Sequence, residues 1–513
     1  MNSQLTFGNT SFHPRITQIL VIILWLAISC FLLNALITGQ ISNFVIIAAG
    51  IALLFWMFFA HDAWWILLPI TLSFGGVFVF GFKIYTYELG LALCLLPLII
   101  TLAISRVKKE KRAPLPRSAY VLLGYMLIHF VVSIYLLKIE RITGAGNVLR
   151  VYMRGIWPLA FLFPFYFFGK TKYLKHAFWA MYLAVFIRTS LGIIGYYFPH
   201  LLYIPGINFI LPGTAGMDLR SSALALALFS VCLACMSKRL IAVVFHVCVI
   251  ALSGWFVLLG GSRVSFGMFC VIPPFCALIY RKFILLGILA VAFLSIIITV
   301  NKNPEALYKL PYRASRALSI MVLKTPYHHI HKELEGSNKW HFGLQDKGEE
   351  KWGKSFLSFL VGNRVFPFSE DFRARTATFE KRKQIAADMG AYESGLWSVF
   401  GVLGITGGIL YILIFYGLLR NIVPALFKDG IYDYQHVFYF LATSGIFIWL
   451  IFSWIAGGFP SYEMMLAVIA KAAYEDAKQE KNGSSKESVG KNREEFTTEN
   501  SPQSMIRSDD TVM

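Results

Sequence analysis

Long apolar segments, following one another along most of the chain, are the feature that most constrains how it folds. A helix that crosses a bilayer needs roughly 20 mostly apolar residues. Hydrophobic residues make up 57% of the 513 residues and charged residues only 15%, which excludes a soluble multi-domain enzyme and a disordered chain. The predicted spans are 16–38, 41–60, 63–82, 84–105, 118–138, 149–169, 173–198, 220–237, 240–260, 264–280, 283–300, 392–419, 434–456 and 460–475. We therefore expect an all-α polytopic membrane protein with about 12–14 transmembrane helices.

Basic residues between these spans indicate the orientation of the chain. If the N-terminus is cytoplasmic, short Lys- and Arg-rich segments at 106–117, 170–175, 238–239, 281–282 and Arg420 all fall on the cytoplasmic side, as the positive-inside rule requires. The first span has no small-residue cleavage site, so we expect it to stay as an anchor. Much of the net charge of +19 is thereby explained by topology. No separate basic domain is present, and we expect no nucleic-acid partner.

One large segment between spans, 301–391, falls on the opposite side of the membrane. The predicted organisation is 1–300 with about eleven transmembrane helices, 301–391 as a large, partly helical periplasmic loop, and 392–475 with two or three further transmembrane helices. Residues 476–513 are rich in Lys, Glu, Ser, Asn and Thr and poor in apolar residues. Such a composition cannot bury a core, and it predicts a disordered cytoplasmic tail.

Cysteine and histidine patterns give little support for a disulfide framework, a metal site or a cofactor. All seven cysteines lie in predicted spans, and the CxxC spacing of Cys232 and Cys235 inside an apolar helix favours small packing residues. The loop contains a group of histidines whose spacing could ligate a metal, but a hydrated surface patch is the better interpretation. These histidines are His328, His329, His331 and His341. We expect no metal and no cofactor.

Charged residues at the predicted outer boundary are not explained by the positive-inside trend. Arg263 follows Gly260-Gly261-Ser262 at the end of one span and directly precedes another, and Arg220 opens the eighth span. A guanidinium group binds phosphate bidentately and does not lose its charge. Each arginine therefore has two interpretations. Arg263 either binds an anion or snorkels to the membrane interface. Arg220 either binds an anion or lies beside the polar residues that cap its helix.

The loop contributes further charges near its two ends. Arg313 and Arg316 lie early in it, and Arg373, Arg375 and the basic run 381–383 lie late. Glu393 then stands at the entrance of the apolar run that contains Gly404-Ile405-Thr406-Gly407. A carboxylate near several arginines can act as a general base. Alternatively, Glu393 only favours the positive end of the helix that follows it.

Taken in order, these elements resemble the bacterial O-antigen polymerase and O-antigen ligase superfamily of polytopic inner-membrane glycosyltransferases, which carry one large periplasmic loop. Ser262-Arg263 is similar to the family's Ser-Arg-Gly element between two spans, with Val264 in place of the glycine. Gly404-Ile405-Thr406-Gly407 is similar to its Gly-x-x-Gly helix. Glu393 stands eleven residues earlier, where the family carries a histidine. The resemblance covers roughly residues 200–420.

The resemblance implies a GT-C-like, inverting, metal-independent glycosyltransferase in the bacterial inner membrane, with both termini cytoplasmic. Its donor is an oligosaccharide on undecaprenyl diphosphate, and its partners include membrane lipids and a chain-length regulator. Arg263, Arg220 and Glu393 are then the catalytic candidates, with Glu393 as the base. Trp340, Trp352 and Trp397 are candidates for stacking on sugar rings. The residues expected to bind the diphosphate are Arg263, Arg220, Arg373, Arg375, Arg313 and Arg316.

The polymerase is our leading interpretation, because the family's polymerases are varied and a carboxylate can serve as the base. An O-antigen ligase, which transfers the glycan to lipid A–core, remains an alternative. A flippase for lipid-linked oligosaccharides is the main alternative of another class, although the sequence shows no internal repeat of the kind transporters often have. A peptidoglycan polymerase of the elongation machinery shares the same lipid-diphosphate chemistry.

Overall fold

The computed structural model describes most of the chain from residue 61 onward. The described residues are 61–75, 77–79, 83–104, 112–140, 145–198, 209–210, 217–322, 328–363, 365, 378–388, 390, 392–429, 433–453 and 458–499. The predicted spans 16–38 and 41–60 lie outside them.

Helices dominate the described part. In chain order the elements are α1 Leu67–Phe74, β1 Val77–Val79, β2 Lys83–Tyr85, α2 Thr86–Ile104, α3 Arg117–Ile139, α4 Ala145–Phe168, α5 Leu174–Tyr197, β3 Phe209–Ile210, α6 Met217–Met236, α7 Leu240–Leu259, α8 Arg263–Ile279, α9 Phe283–Lys302, α10 Tyr312–Leu318, α11 His328–Gly353, α12 Phe356–Val361, α13 Phe379–Asp388, α14 Gly395–Leu419, α15 Ile422–Asp429, α16 Tyr434–Phe452 and α17 Ser461–Glu499. Short 3₁₀ turns lie at His61–Ile66, Thr171–Tyr173, Pro304–Lys309 and Ser319–Met321.

The prediction of a multi-pass, mainly helical membrane protein is confirmed. Within the described residues, seven helices are long and apolar enough to cross a membrane, and they match seven of the predicted spans. Shorter apolar helices lie at Ala63–Phe74, Thr86–Leu95, Pro158–Phe168 and Arg263–Ile279. The seven long helices are Arg117–Ile139, Thr171–Tyr197, Leu219–Met236, Leu240–Leu259, Phe283–Lys302, Gly395–Leu419 and Tyr434–Phe452.

The predicted span 63–82 is wrong in its second half. Helix α1 ends at Phe74, and Gly75 follows with a φ of +63°, a left-handed conformation that terminates the helix. The side chain of Arg188 from α5 packs against Gly75, and its Nη1 donates to the carbonyl of Ser73 at 3.3 Å. The chain then forms β1, which pairs antiparallel with β2 and with β3. The apolar run 63–82 is long enough for a span but does not form one, because glycine and then alternating β-branched and aromatic residues follow helix α1.

Helix α14 is interrupted at Gly404, whose φ of +66° and ψ of −172° are not helical. A Cβ at Gly404 would lie 2.3 Å from the carbonyl oxygen of Leu360 in α12, so only glycine permits this close approach. The hydroxyl of Tyr125 in α3 donates to the carbonyl of Leu403 at 2.7 Å. The main-chain amide of Asn363 donates to the carbonyl of Gly401 at 2.9 Å. Side chains and a neighbouring backbone thus satisfy carbonyls around the interruption.

A small apolar core supports the short helix α10 at the ends of the spans. Ala314 and Ala317 are fully buried, and they pack with Leu219, Leu259 and other residues from α6, α7 and α8. Helical spacing places Arg313 and Arg316 one turn apart on another face of α10. The buried alanines of α10 therefore hold Arg313 and Arg316 next to the ends of α6, α7 and α8.

Helix α17 crosses the predicted boundary at residue 475 and continues to Glu499. Helix α17 is held to the neighbouring helices through Asp476, which accepts two hydrogen bonds of 2.6 Å from the fully buried guanidinium of Arg112. Arg112 also donates to the carbonyls of Tyr166 and Gly169 at 2.6 Å, at the end of α4. The start of the predicted tail is thus held by a specific ion pair.

Replacing Arg112 by alanine is expected to destabilise the protein by about 1–3 kcal/mol, because the partly buried carboxylate of Asp476 and the carbonyls of Tyr166 and Gly169 lose a donor. The measurement is the thermal unfolding midpoint of the detergent-solubilised protein. The matched control is Arg239→Ala, since Arg239 is exposed. Equal midpoints for the two variants would contradict the structural role of Arg112.

Candidate functional site

Two consecutive glycines between α7 and α8 bring three arginines together. Gly260 packs against the backbone and Cβ of Arg220, and Gly261, with a φ of +70°, packs against the side chain of Arg313. Ser262 caps α8 by accepting a hydrogen bond from the amide of Ser265 at 3.2 Å. Arg263 is the first residue of that helix. The Gly-Gly-Ser-Arg segment recognised in the sequence is therefore the point where α6, α8 and α10 converge.

Burial lowers the pKa of the Arg263 guanidinium, and the positive charge of Arg316 lowers that pKa further. Both guanidinium groups donate to neutral side chains of α11: Arg263 Nη2 to Asn338 Oδ1 at 3.3 Å, and Arg316 Nη2 to Ser337 Oγ at 3.4 Å. These hydrogen bonds are long, and neither acceptor neutralises charge. Two neighbouring guanidinium groups held in this way favour an anionic ligand.

Glu393 lies against the same helix. One of its carboxylate oxygens, Oε2, accepts a hydrogen bond from the indole N–H of Trp340 at 3.2 Å and lies 3.3 Å from Nδ1 of His341. The side chain of Glu393 remains 49% exposed and that of His341 41%. The carboxylate is therefore positioned by the hydrogen bond from Trp340, lies beside the His341 ring, and is still accessible to a substrate.

Helix α11 connects the arginines to the carboxylate. Ser337 and Asn338 contact the arginines, and Trp340 and His341 contact Glu393. With a rise of 1.5 Å per residue, the two pairs are separated by roughly 4.5 Å along the helix, and their three- and four-residue spacing puts them on one face. Two of the predicted cations, Arg263 and Arg316, thus contact the same face of α11 as the predicted base Glu393, although these residues are far apart in sequence.

The backbone at Glu393 is constrained by the spans behind it. Its φ of +53° is uncommon for a residue with a side chain. Ser394 Oγ donates to the carbonyl of Ser453 at 2.6 Å, and the amide of Leu396 donates to the same carbonyl at 2.9 Å. Gly395 packs closely against Trp449. Strained residues of this kind persist where the surrounding structure fixes them, often at functional sites.

Two predicted members of the site, Arg373 and Arg375, lie outside the described residues. Of the basic run 381–383, Lys383 is buried on α13, where its ammonium lies 2.6 Å from Glu380 and 5.0 Å from the ring of Phe379. Phe379 in turn contacts Trp340 edge-on, with ring centres 5.5 Å apart. This part of the predicted cluster therefore supports the wall beside Glu393.

The predicted sugar-stacking tryptophans have different environments. Trp340 contacts Glu393, as described above. Trp352 instead stacks on Phe359 at 4.8 Å and meets Trp397 edge-on at 5.7 Å. Trp352 and Trp397 thus pack α11, α12 and α14 together. Trp340 remains the tryptophan at the carboxylate.

Sequence reasoning missed three polar residues that complete the site. His341 is 41% exposed, in keeping with the predicted hydrated surface patch, and its Nδ1 also lies 3.3 Å from Glu393. Ser337 and Asn338 carried no signal except their helical spacing from Trp340 and His341. Among the described residues, no group of three or more His, Cys, Asp or Glu side chains is arranged to hold a metal ion.

Gly260→Ala is expected to disturb the site, because the added Cβ would lie 2.5 Å from the Cβ of Arg220 and 3.1 Å from its Cα. Overpacking of this kind costs about 1–3 kcal/mol. We expect a lower unfolding midpoint and reduced activity. Gly267→Ala is the matched control, since a Cβ there meets nothing within 4 Å. Identical behaviour of the two variants would contradict the close packing of Arg220 on Gly260.

Comparison with known proteins gives no match to a family model, to a curated protein or to a solved structure.

Proposed function

We propose that this protein is an inner-membrane glycosyltransferase that polymerises undecaprenyl-diphosphate-linked oligosaccharide repeat units on the periplasmic side, for O-antigen, capsule or exopolysaccharide. The observation that carries the proposal is the arrangement on α11, where two guanidinium groups and an accessible carboxylate contact one helical face. A group-transfer reaction with a diphosphate leaving group needs both functions side by side.

The arginines suit the leaving group. During transfer, the bond between the anomeric carbon and the diphosphate oxygen breaks, and its electron pair stays on the diphosphate. Arg263 and Arg316 would stabilise this growing negative charge, with Arg220 and Arg313 beside them at the glycine pair. Fixed donors of this kind act without reorganising at the moment of reaction, and losing one typically costs about 10²–10³ in rate.

Glu393 suits the acceptor. The hydroxyl of a second lipid-linked glycan attacks the anomeric carbon from the face opposite the diphosphate, which inverts the centre. The proton of that hydroxyl passes to Glu393. Trp340 orients the carboxylate by donating a hydrogen bond to Oε2, and the His341 ring lies beside the same oxygen.

The experiment that tests this function is deletion of the protein, followed by gel analysis of surface glycans. We expect loss of the ladder, with single repeat units still attached to their acceptor. Loss of every unit from lipid A–core would instead indicate the ligase. An unchanged O-antigen together with a missing capsule or exopolysaccharide would assign the polymerase to that pathway. Normal glycans of all kinds would reject the proposal.

The flippase alternative has one structural observation in its favour. Interrupted helices are common at the substrate sites of transporters, and α14 is interrupted at Gly404 beside α12. The two functions differ in where lipid-linked single repeat units accumulate after deletion. Accumulation on the periplasmic face follows from loss of a polymerase, and accumulation on the cytoplasmic face follows from loss of a flippase.

A further inference from the structure

Helix α12 is an apolar element inside the loop that was predicted to be extramembrane. Its six residues, Phe356–Val361, read FLSFLV. Phe356 is 77% exposed and Leu357 is 68% exposed. Large apolar side chains with that exposure need a partner if the segment does not lie in water.

The contacts of α12 place it at the depth of the spans. The carbonyl of Val361 accepts hydrogen bonds from Tyr125 at 3.0 Å and from His129 at 2.9 Å, both in α3. His129 is ten residues from the end of α3 at Ile139, which corresponds to about 15 Å along the helix. On α14, Gly404 meets Leu360 and Gly362, and it lies nine residues from Gly395, or about 14 Å.

The distances of about 15 Å along α3 and about 14 Å along α14 are both counted from the same side of the membrane. Helices α3 and α14 are antiparallel neighbours: Pro116, just before α3, contacts Gly417 near the end of α14, and Tyr125 bonds to Leu403. The end of α3 at Ile139 and the start of α14 therefore face the loop. Since α12 is about 9 Å long, which is less than either distance, it lies below both ends along its whole length.

The backbone of the segment is prepared for such a position. Non-helical backbone at membrane depth is tolerated only where protein groups satisfy its hydrogen bonds. Here the main-chain amide and the side-chain amide of Asn363 donate to the carbonyl of Gly401 at 2.9 and 3.3 Å. The side chain also donates to the carbonyl of Lys351 at 3.1 Å. Gly362, with a φ of +82°, lets this turn approach the backbone at Val402 and Gly404.

We propose that residues 355–363 re-enter the membrane from the loop side, and that Phe356 and Leu357 contact the hydrocarbon chains of lipids in that leaflet. The neighbouring helix α3 exposes Ile128 and Val131, by 66% and 62%, around the level of its contact with Val361. The apolar face of α12 continues this lipid-facing surface. The 301–391 segment is thus anchored in the bilayer next to the site that contains Glu393, whichever reaction that site catalyses.

A nitroxide spin label at position 356 tests the proposal. The variant Phe356→Cys is labelled in the full-length protein, reconstituted in phospholipid bilayers, and its collisions with oxygen and with a water-soluble nickel chelate are measured by power saturation. The unsubstituted protein, labelled in parallel, gives the blank for the seven native cysteines. We expect frequent collisions with oxygen and about tenfold fewer collisions with the chelate than at a water-exposed position, because polar solutes are excluded from hydrocarbon.

Lys339→Cys is the matched control, since Lys339 lies in the same loop on α11, is charged and is 69% exposed. Its label should meet the nickel chelate freely. Two results at position 356 would overturn the proposal. Collisions with the chelate as frequent as at position 339 would place α12 in water. Rare collisions with both reagents would show that protein, such as a second copy of the chain, covers the face instead of lipid.

Discussion

Replacement of Arg263 by alanine is expected to reduce glycan polymerisation by about 10²–10³-fold, because a fixed donor to the leaving diphosphate is lost. The variant should still insert into the membrane, since among the described residues the hydrogen bond from Arg263 to α11 is a long one to Asn338. Polymer length and amount on gels, normalised to the protein level in membranes, give the measurement. Arg263→Lys should make an amount of polymer between those of the wild type and Arg263→Ala, because lysine keeps the charge but not the bidentate geometry.

Arg420→Ala is the matched control for Arg263→Ala. Arg420 is exposed at the other end of α14, on the side predicted to be cytoplasmic. It should polymerise normally. Normal polymer from Arg263→Ala at wild-type protein levels would remove this arginine from the site.

Replacement of Glu393 by glutamine is the second change with a large expected effect. Glutamine keeps the shape of the side chain and an oxygen that can accept the indole N–H of Trp340, but it cannot take the acceptor's proton. Loss of a general base lowers the rate by about 10²–10⁴-fold. The readout is the rate of polymer formation in isolated membranes supplied with lipid-linked repeat units.

Glu349→Gln serves as the control, since Glu349 is an exposed carboxylate on α11 itself. We expect it to act as the wild type does. His341→Gln should give a smaller loss than Glu393→Gln, because His341 acts through the carboxylate. If Glu393→Gln polymerised at the wild-type rate, the base would have to be another group.

The long helices could be predicted from the sequence because an apolar run of span length has few other ways to satisfy its backbone in a membrane. Glycine decided the exceptions. Gly75 ends α1 early, and Gly404 interrupts α14, and in both places a neighbouring residue occupies the space where a Cβ would lie. Hydropathy averages over such positions and does not detect them.

The short apolar helix α12 was missed for a different reason. A six-residue helix with five apolar residues is too short for a span, so the sequence predicts a loop there. Its depth depends on hydrogen bonds from Tyr125 and His129, which lie more than 200 residues away in sequence. Contacts of that range leave no local pattern.

The candidate site could be predicted in part. The boundary arginines and Glu393 were identified because charge at a membrane surface has few structural explanations. Their convergence could not be predicted, since it depends on α11 contacting Arg263 and Arg316 with one pair of residues and Glu393 with the next. The proximity of His341 to Glu393 leaves no local pattern, because the two residues are 52 positions apart in sequence.

The central claim is that the arginines and Glu393 form one site for transfer from a diphosphate-linked donor. Reconstitution of the purified protein in liposomes with a polyprenyl-diphosphate-linked repeat unit tests it most directly. The account predicts polymer and one released polyprenyl diphosphate for each glycosidic bond formed, with both products lost in Arg263→Ala and in Glu393→Gln. Movement of the intact lipid-linked unit across the bilayer, without release of polyprenyl diphosphate, would contradict it.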